Sequence, residues 1–358
     1  MAFVRLDEFV PSLSVFTLGG AALTFYIAAR TGADALTRRR AHPRDAASGL
    51  VVAHWLPTAA VVAMMVRDQP EGAVSMIFAS SVACLTLALG TVLLSAPAPL
   101  SPDALADAPH RRAWPMLLPA AVLALLAGFS ARLTPKHALI FALQGVVALV
   151  LWSDDRDARA AAPHDVISSP TSAERSRGGA APVVLEAILW IGLSLTGGWL
   201  ANRAATDLIR DVPRLTVGII SAMMLAPAVT LPLIGTGLGL TRDGRPDSAV
   251  VSACVGCALM NLCALLPLTI LAAHVVNAVR AGGVASLASA AWLNPGPNDP
   301  SLPFPMAVWR IDTVLLIVLG AIMLLISSNH WLPRRGEALV LLIVYGAYML
   351  WTSVVAGR

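Results

Sequence analysis

The sequence predicts an all-α, polytopic membrane protein with about ten transmembrane helices in two inverted five-helix repeats. Hydrophobic residues make up 57% of its 358 positions and charged residues only 13%, whereas a soluble domain carries about 25% charged residues. The mean hydropathy is +0.74. Apolar segments of the roughly 20 residues that a spanning helix needs recur along the chain, and the two halves carry matching features in the same order.

Short polar loops separate the apolar segments and set the number of spans at about ten. The fifth segment is short for a span, and the seventh and eighth are long. The predicted spans are 10–29, 47–66, 73–95, 113–130, 137–152, 183–201, 215–240, 248–276, 306–327 and 337–355.

A polar stretch at 153–182, rich in Ser, Pro and Ala after an Asp/Arg cluster, is typical of a flexible linker. It separates a first repeat at 1–152 from a second repeat at 183–358, each with five spans. Because five is odd, the second repeat enters the membrane from the opposite side. Transporters with such inverted repeats bind their substrates near the midplane, where the repeats meet.

The second span of each repeat carries a leucine–proline pair, Leu56-Pro57 and Leu231-Pro232. A short polar loop follows each pair, and then a third span that is rich in small residues. Proline removes a hydrogen bond from a helix interior, and many transporters build their binding sites from broken helices. Helix breaks are therefore predicted at Pro57, Pro227 and Pro232.

The distribution of basic residues predicts the orientation in the membrane. The net charge is +4, and the basic residues are nearly all arginines in loops. If the spans alternate, most of them fall on one side, which the positive-inside rule assigns to the cytoplasm. The linker 153–182 is then cytoplasmic and both termini lie outside, in what we expect to be a bacterial inner membrane. We therefore expect the protein to interact with the lipid bilayer and not with nucleic acid.

The order of these motifs resembles the cation/calcium exchanger superfamily, whose members have two inverted five-helix repeats joined by a cytoplasmic loop. Each family repeat carries G-T-S-L-P-E in its second helix and G-S-N-I-x-N in its third. The first motif corresponds to 53–58 and 228–233, and the second to 79–84 and, within one position, to 257–261. The resemblance covers roughly 11–152 and 183–355. It implies the exchanger fold, with alternating access between the repeats.

The chain departs from that family at the two motif glutamates, which hold the cation. Thr58 and Leu233 stand in their places, and Asn261 is the one motif asparagine with a match. Ca²⁺ takes six to eight oxygen ligands, several of them charged, and neither second span supplies a carboxylate. The residues therefore favour a monovalent ion, a proton-coupled substrate or a small polar solute, whereas the resemblance alone implies calcium exchange.

Polar side chains at matched positions of both repeats form the predicted substrate pathway. Their oxygen and sulfur atoms, with carbonyls freed by the prolines, are its candidate ligands; alternatively, Ser and Thr only join neighbouring helices. His54 is expected near the midplane, as a proton-coupled gate or as a histidine satisfied by a helix carbonyl or by Ser80. The pathway residues are His54, Thr58, Ser80, Ser81, Cys84, Thr230, Cys257 and Asn261.

Two further sets of residues are given structural interpretations that leave alternatives open. Cys254 and Cys257 share a helix face with Cys84 at the symmetric place, a set that could suit a soft ion such as Cu(I), or that behaves as small apolar residues. The metal content therefore stays open. Charged residues at span ends are predicted to be anchors or end pairs, with the alternative that an aspartate lines an entry path: Asp34, Asp207, Arg310, Asp312 and Glu337.

The sequence thus predicts a secondary transporter, specifically a cation antiporter with an altered, non-acidic site. The alternative is a transport-inactive protein of the same fold that acts as a partner or regulatory subunit. The sequence contains no nucleophile constellation, phosphate-binding loop or paired catalytic carboxylates, so neither an enzyme nor a cofactor is expected. An enzyme that combines His54 with a cysteine lacks a second activating group.

Overall fold

The computed structural model describes residues 57–96, 111–160, 192, 195–208, 217–242, 248–283, 302–328 and 334–356. Within these ranges the chain is helical apart from one short two-stranded ribbon. In chain order the elements are α1 (Pro57–Val66), α2 (Pro70–Ser95), α3 (Leu117–Gly128, after a 3₁₀ turn at Arg111–Met116), β1 (Arg132–Leu133), α4 (Pro135–Ala160), α5 (195–208), α6 (217–242), α7 (248–282), β2 (Leu302–Pro303), α8 (Met306–Ser327) and α9 (Arg335–Ala356).

The predicted spans correspond to helices wherever the structure describes them. Five described helices are long and apolar enough to cross a membrane: α2, α4, α7, α8 and α9. Shorter apolar helices at Pro57–Val66 and Met223–Gly235 fall in the predicted second and seventh spans. The first predicted span lies outside the described residues. These helices make the chain an integral, multi-pass membrane protein.

Helix α4 is longer than the sequence predicted. It continues to Ala160, so the first eight residues assigned to the linker are helical. The predicted span ended where charged residues begin, but a helix that leaves the bilayer keeps its backbone hydrogen bonds in water. Polar residues therefore mark the edge of the membrane and not the end of the helix.

Helices α2 and α7 form the centre of the molecule. Their membrane-spanning stretches are 83% and 78% buried, against 28% to 39% for α4, α8 and α9. The outer three instead expose large apolar side chains, such as Leu143 on α4, Val318 on α8 and Leu350 on α9. Such side chains are suited to face lipid. Polar groups on α2 and α7 are consequently shielded from both lipid and water.

Contacts between loops and helix ends identify one end of the bundle, which we call the strand end. There β1 pairs antiparallel with β2. At the end of α7, Arg280 also forms a 2.8 Å ion pair with Asp68, which lies between α1 and α2. Both side chains are largely exposed, so the pair contributes little to stability. Its value is geometric, because it places the end of α7 beside the start of α2.

Backbone carbonyls at the other end of the bundle accept hydrogen bonds from arginines. Arg111 donates to the carbonyl of Ser327 at the end of α8, and Arg335 donates to the carbonyl of Ala96 after α2, at 3.0 Å. These bonds satisfy carbonyls that helix ends leave free. Helix α2 therefore runs away from the strand end and α7 runs toward it, so the two central helices are antiparallel.

Three of the helices contain a π-helical turn, in which the backbone is wider than in an α-helix. The turns are Ser221–Leu225 in α6, Asn261–Leu265 in α7 and Cys84–Ala88 in α2. Pro227 and Pro267 lie two residues beyond the first two turns. Proline cannot donate to the carbonyl four residues earlier and clashes with it, so the helix widens at that point. Such turns are rare and often lie at functional sites.

Close helix crossings in the bundle depend on glycines. A Cβ added to Gly320 of α8 would lie 2.8 Å from Cα of Leu118, at the start of α3, and one added to Gly145 of α4 would lie 2.7 Å from the carbonyl oxygen of Cys263. In each case the obstacle is backbone, which cannot rotate away. Small residues allow this approach between membrane helices, where dispersion contacts stabilise packing.

We expect Gly320→Ala to lower the free energy of unfolding by about 1–3 kcal/mol, because overpacking a tight contact forces the backbone apart. Gly346→Ala is the matched control, since a Cβ at Gly346 of α9 would meet no atom within 4 Å. Gly346→Ala should leave the free energy of unfolding unchanged or raise it slightly. Thermal unfolding of the purified variants in detergent measures both effects. Equal melting temperatures for the two variants would contradict the assigned α3–α8 crossing.

Candidate functional site

The two central helices contact each other through a polar pair at the crossing. The Asn261 side-chain nitrogen donates to the Ser80 hydroxyl oxygen over 3.0 Å. Both residues are fully buried, and Ser80 in turn donates to the carbonyl of Ile77 at 3.1 Å. Asn261 opens the π-helical turn of α7. The pair therefore joins one predicted pathway residue from each half of the chain.

A second polar pair lies one helical turn away. The thiols of Cys84 and Cys257 form a side-chain hydrogen bond between α2 and α7, and both are free cysteines buried in the bundle. Cys84 follows Ser80 by four positions and Cys257 precedes Asn261 by four, the spacing of one face of a helix. Since the helices are antiparallel, the two pairs are successive rungs of one interface.

The two rungs use equivalent positions of α2 and α7. Cys84 and Asn261 each begin a π-helical turn. The separation from Cys84 to Asn261 equals the separation from Ser80 to Cys257. Exchanging α2 with α7 therefore converts the serine–asparagine rung into the cysteine–cysteine rung. This geometry aligns 79–84 with 256–261, which removes the one-position ambiguity in the motif comparison.

Two buried oxygen atoms near this crossing have no hydrogen-bond partner among the described residues. They are Oδ1 of Asn261 and Oγ of Ser221. Ser221 begins the π-helical turn of α6, which packs against α2. A buried acceptor without a partner costs free energy comparable to a lost hydrogen bond. The Asn261 carbonyl oxygen is thus suited to bind a cation or a donor group.

Like Ser80, two further predicted pathway hydroxyls donate within their own helices. Ser81 donates to the carbonyl of Ile77 at 2.8 Å, and Thr230 donates to the carbonyls of Ala226 and Pro227 at 3.0 and 2.9 Å. This is ordinary back-bonding by serine and threonine in membrane helices. The hydroxyl hydrogens of both residues are therefore occupied, and only their oxygen lone pairs remain for a ligand.

The positions that replace the family glutamates lie in α1 and α6. Thr58 is half-buried in the first turn of α1, whereas Leu233 of α6 is buried. Helix α6 continues through Pro232 to Arg242, so the widened turn of this helix belongs to Pro227. Pro57 is the first residue of α1 that the structure describes. His54 lies outside the described residues.

The soft-metal hypothesis is not supported by the described part of the chain. There, no three His, Cys, Asp or Glu side chains are grouped so that they could hold a metal ion. Cys254 and Cys257 lie on the same face of α7, and both are buried. The structure brings sulfur atoms together as a pair between α2 and α7, which is too few ligands for a typical protein metal site.

The prediction that Asp312 is an end pair was wrong. Its side chain is 3% exposed, and the Tyr348 hydroxyl of α9 donates a hydrogen bond to its carboxyl group. The sequence placed Asp312 at the start of a span, where water is close. However, α9 covers this turn of α8, with Tyr348 at the carboxyl group. A carboxyl group inside a membrane domain is costly and is usually functional.

Other span-end charges behave as expected. Asp207 forms a 4.0 Å pair with Arg203 one turn earlier on α5, and both are about half exposed. Glu337 accepts a 2.8 Å hydrogen bond from the backbone nitrogen of Arg334, which satisfies a donor at the start of α9. Arg310 is exposed. Asp34 lies outside the described residues.

Three buried polar side chains were not singled out from the sequence. Gln144 of α4 donates to the carbonyl of Met116 at 2.8 Å, and Asn202 of α5 donates to the carbonyl of Ala63 at 3.2 Å. His274 of α7 contacts the carbonyl of Ile270 through Nδ1 at 2.9 Å. Each has one buried atom without a partner among the described residues. The sequence feature that could have identified them is a polar side chain within an otherwise apolar span.

Several solved structures have the same fold at low sequence identity. The crystal structure of the H⁺/Ca²⁺ exchanger CAX matches with a TM-score of 0.60 and 11% identity, over 98% of this chain and 92% of that one. Native YfkE matches with a TM-score of 0.60 and 12% identity, over 98% and 97%. The sodium–calcium exchanger NCX_Mj, soaked with 10 mM Na⁺ and no Ca²⁺, matches with a TM-score of 0.55 and 13% identity, over 95% and 99%.

No protein-family model matches the sequence, and no curated protein matches it. The structural matches cover nearly the whole of this chain and of the exchangers. The chain therefore has the exchanger fold that its motifs resembled. The structural similarity establishes the fold. Because the sequence identities are only 11–13%, the transported substrate and its coupling ion have to be argued from the residues themselves.

Proposed function

We propose that this chain is a secondary transporter, a cation antiporter that moves a monovalent alkali cation through the crossing of α2 and α7. Two inverted repeats, at 1–152 and 183–358, would alternate access to that crossing from the two sides of the membrane. The observation that carries the proposal is the Asn261–Ser80 pair, in which the side-chain oxygen Oδ1 of Asn261 has no hydrogen-bond partner among the described residues. Thr58, Cys84 and Cys257 complete the proposed pathway, together with His54.

Charge supports a monovalent ion over a divalent one. Moving Ca²⁺ out of water requires several charged oxygen ligands, and Thr58 and Leu233 remove the two carboxylates that the exchanger motifs would supply. Neutral hydroxyl and amide oxygens compensate a single positive charge far more readily, as do carbonyls of widened helix turns. The crossing offers ligands of that neutral kind, so we expect it to reject Ca²⁺.

The antiparallel arrangement of α2 and α7 supports alternating access. Each helix contributes one residue to each of the two rungs, and each has a widened turn beginning at a rung residue. Widened turns can be accommodated by small changes in backbone hydrogen bonding. A rocking motion of one half of the chain against the other would open the crossing to one side of the membrane at a time.

Cation exchange in proteoliposomes tests the proposal. Vesicles loaded with Na⁺ or K⁺ are diluted into trace radioactive sodium, rubidium or calcium, with protein-free vesicles as the control. We expect saturable uptake of one monovalent cation and calcium uptake no greater than in the control. Robust calcium uptake driven by a Na⁺ or H⁺ gradient would contradict the monovalent assignment. Absence of flux for every ion would favour the alternative of a transport-inactive partner or regulatory subunit.

A further inference from the structure

Among the side chains that the structure describes, Asp312 is the only buried carboxyl group. It lies six residues after Met306, the first residue of α8, and so about 9 Å along that helix. The position is in the first turn of the Trp309–Ser327 span, and the side chain is shielded there because the surrounding protein buries it. It also lies outside the helices that carry the exchanger-like motifs.

The immediate partners of Asp312 are neutral side chains of α9. The Tyr348 hydroxyl donates to the carboxyl group, and the Thr352 hydroxyl donates to the backbone carbonyl of Tyr348 at 2.8 Å. Tyr345 lies one turn from Tyr348, with ring centroids 5.9 Å apart, and interacts electrostatically with Asp312. Among the described residues, the carboxyl group is therefore held by hydrogen bonding and not by an ion pair.

Charged groups on the elements packed against α8 lie elsewhere. The neighbours of α8 are α2, α9 and α3 with its preceding 3₁₀ turn. On these elements the described titratable and charged groups that approach Asp312 are Tyr345, Tyr348 and, through Tyr345, Cys84. The remainder are at helix ends: Glu71 at the strand end, and Arg111, Arg112, Arg335 and Glu337 at the opposite end.

We infer that Asp312 and Tyr348 form a buried proton-binding site that couples the proposed transport to H⁺. Among the described residues an ionised carboxylate here would have no positively charged partner, and it would be shielded from water, which is strongly unfavourable. A bound proton removes that charge, and Tyr348 can still donate to the carbonyl oxygen of the neutral acid. The coupling role rests on the proposed function, whereas the proton site itself does not.

A chain of polar groups connects this site with the crossing of α2 and α7. Tyr345 interacts electrostatically with both Asp312 and Cys84, and Cys84 is hydrogen-bonded to Cys257 at the crossing. We therefore expect a negative charge at Asp312 to raise the affinity of the crossing for a cation, and a neutral acid to leave that affinity lower. Proton and cation then bind in alternation, and the net charge of the occupied protein is the same in both states.

The proposed exchange balances charge and protons at each step. On one side of the membrane, the Asp312 carboxylate takes a proton from hydronium as the alkali cation leaves the crossing. On the other side, a cation enters the crossing and the carboxyl O–H bond breaks, releasing the proton to water. One monovalent cation thus moves in one direction for each proton moved in the other.

Infrared spectroscopy of the purified protein tests the proton site without any transport. At neutral pH, we expect the C=O stretch of a protonated carboxylic acid in the wild-type spectrum. Asp312→Asn should remove this band, while Asp207→Asn, which changes an exposed carboxyl group, should leave it unchanged. Tyr348→Phe should shift the band, because it removes the hydrogen bond to the carboxyl group. A band that survives Asp312→Asn, or that is missing from the wild type, overturns the proposal.

Transport measurements then separate coupling from the proposed function. In wild-type vesicles, a pH gradient should drive accumulation of the alkali cation, and self-exchange of that cation should proceed without a gradient. Asp312→Asn should lose gradient-driven accumulation at least tenfold and bind the cation more weakly, but it should retain self-exchange when the cation is saturating; Asp207→Asn should retain both activities. Equal accumulation by Asp312→Asn and the wild type contradicts the coupling role. Loss of self-exchange in the wild type itself contradicts the proposed function, and the infrared result still decides the proton site.

Discussion

Asn261→Ala should reduce flux of the transported monovalent cation about 10- to 100-fold while leaving the fold intact. A hydrogen bond or ligand contact to a charged group is worth about 1.5–3 kcal/mol, and each 1.4 kcal/mol corresponds to about a factor of ten in binding. The variant loses the carbonyl oxygen that has no partner in the described structure. It also loses one neutral hydrogen bond to Ser80, which contributes only about 1 kcal/mol to stability.

Gln144→Leu is the matched control for this variant. Gln144 is also a buried amide with a donated hydrogen bond and an unpartnered oxygen in the described residues, but its hydrogen bond is to Met116 in the 3₁₀ turn before α3. Both variants should show similar melting temperatures, and only Asn261→Ala should lose flux. Comparable flux losses in the two variants would mean that the effect is general destabilisation and not loss of a cation ligand.

Restoring acidic side chains with Thr58→Glu and Leu233→Glu should convert the protein into one that binds Ca²⁺. Without calcium, the double variant should be less stable than the wild type, because uncompensated carboxylates become buried. Calcium should reverse that loss, since a ligand at about 100 times its dissociation constant stabilises the folded state by about 2.7 kcal/mol. Thermal unfolding across a calcium titration measures both effects.

The control for the double variant is Thr58→Gln with Leu233→Gln, which has nearly the same shape without the charge. That pair should show no calcium-dependent stabilisation. If the glutamate variant is likewise insensitive to calcium although it folds, the positions of Thr58 and Leu233 do not correspond to the exchanger motifs. The assignment of the altered site would then be contradicted, and the fold would be unaffected.

Hydropathy predicted the membrane helices well because a bilayer imposes a strong requirement on composition. The third predicted span, 73–95, lies within α2 (Pro70–Ser95), and the ninth, 306–327, has the same bounds as α8 (Met306–Ser327). The boundary of α4 was predicted less well, because its helix continues past the apolar residues to Ala160. Composition indicates which residues lie within the membrane, whereas the residues at which a helix begins and ends depend on hydrogen bonding.

The partners within the site could be predicted only in part. The motif comparison placed Ser80, Cys84, Cys257 and Asn261 on matching helices, but it could not state which of them touch. Those contacts depend on the antiparallel crossing and on the widened turns. Pro227 and Pro267 account for two of these turns, while α2 has no proline after its first residue, Pro70, so its turn at Cys84–Ala88 had no local signal in the sequence.

Asp312 was misjudged because distance along a helix was taken as a measure of exposure. A residue near the start of a span is close to water only if no other segment covers it. Here Tyr348 of α9 approaches the carboxyl group from a segment 36 positions later in the chain. Nothing in the local sequence around Asp312 indicates that contact. The tyrosine pair in the last span was the only available hint.

The central claim is that the crossing of α2 and α7 selects a monovalent cation through neutral ligands. Thermal unfolding of the purified protein in Na⁺, K⁺ or Ca²⁺, at matched ionic strength, tests it most directly, because a ligand that binds only the folded state raises the melting temperature. We expect one alkali cation to stabilise the wild type, with the shift lost in Asn261→Ala and no specific shift from Ca²⁺. Stabilisation of the wild type by Ca²⁺ alone would contradict the account.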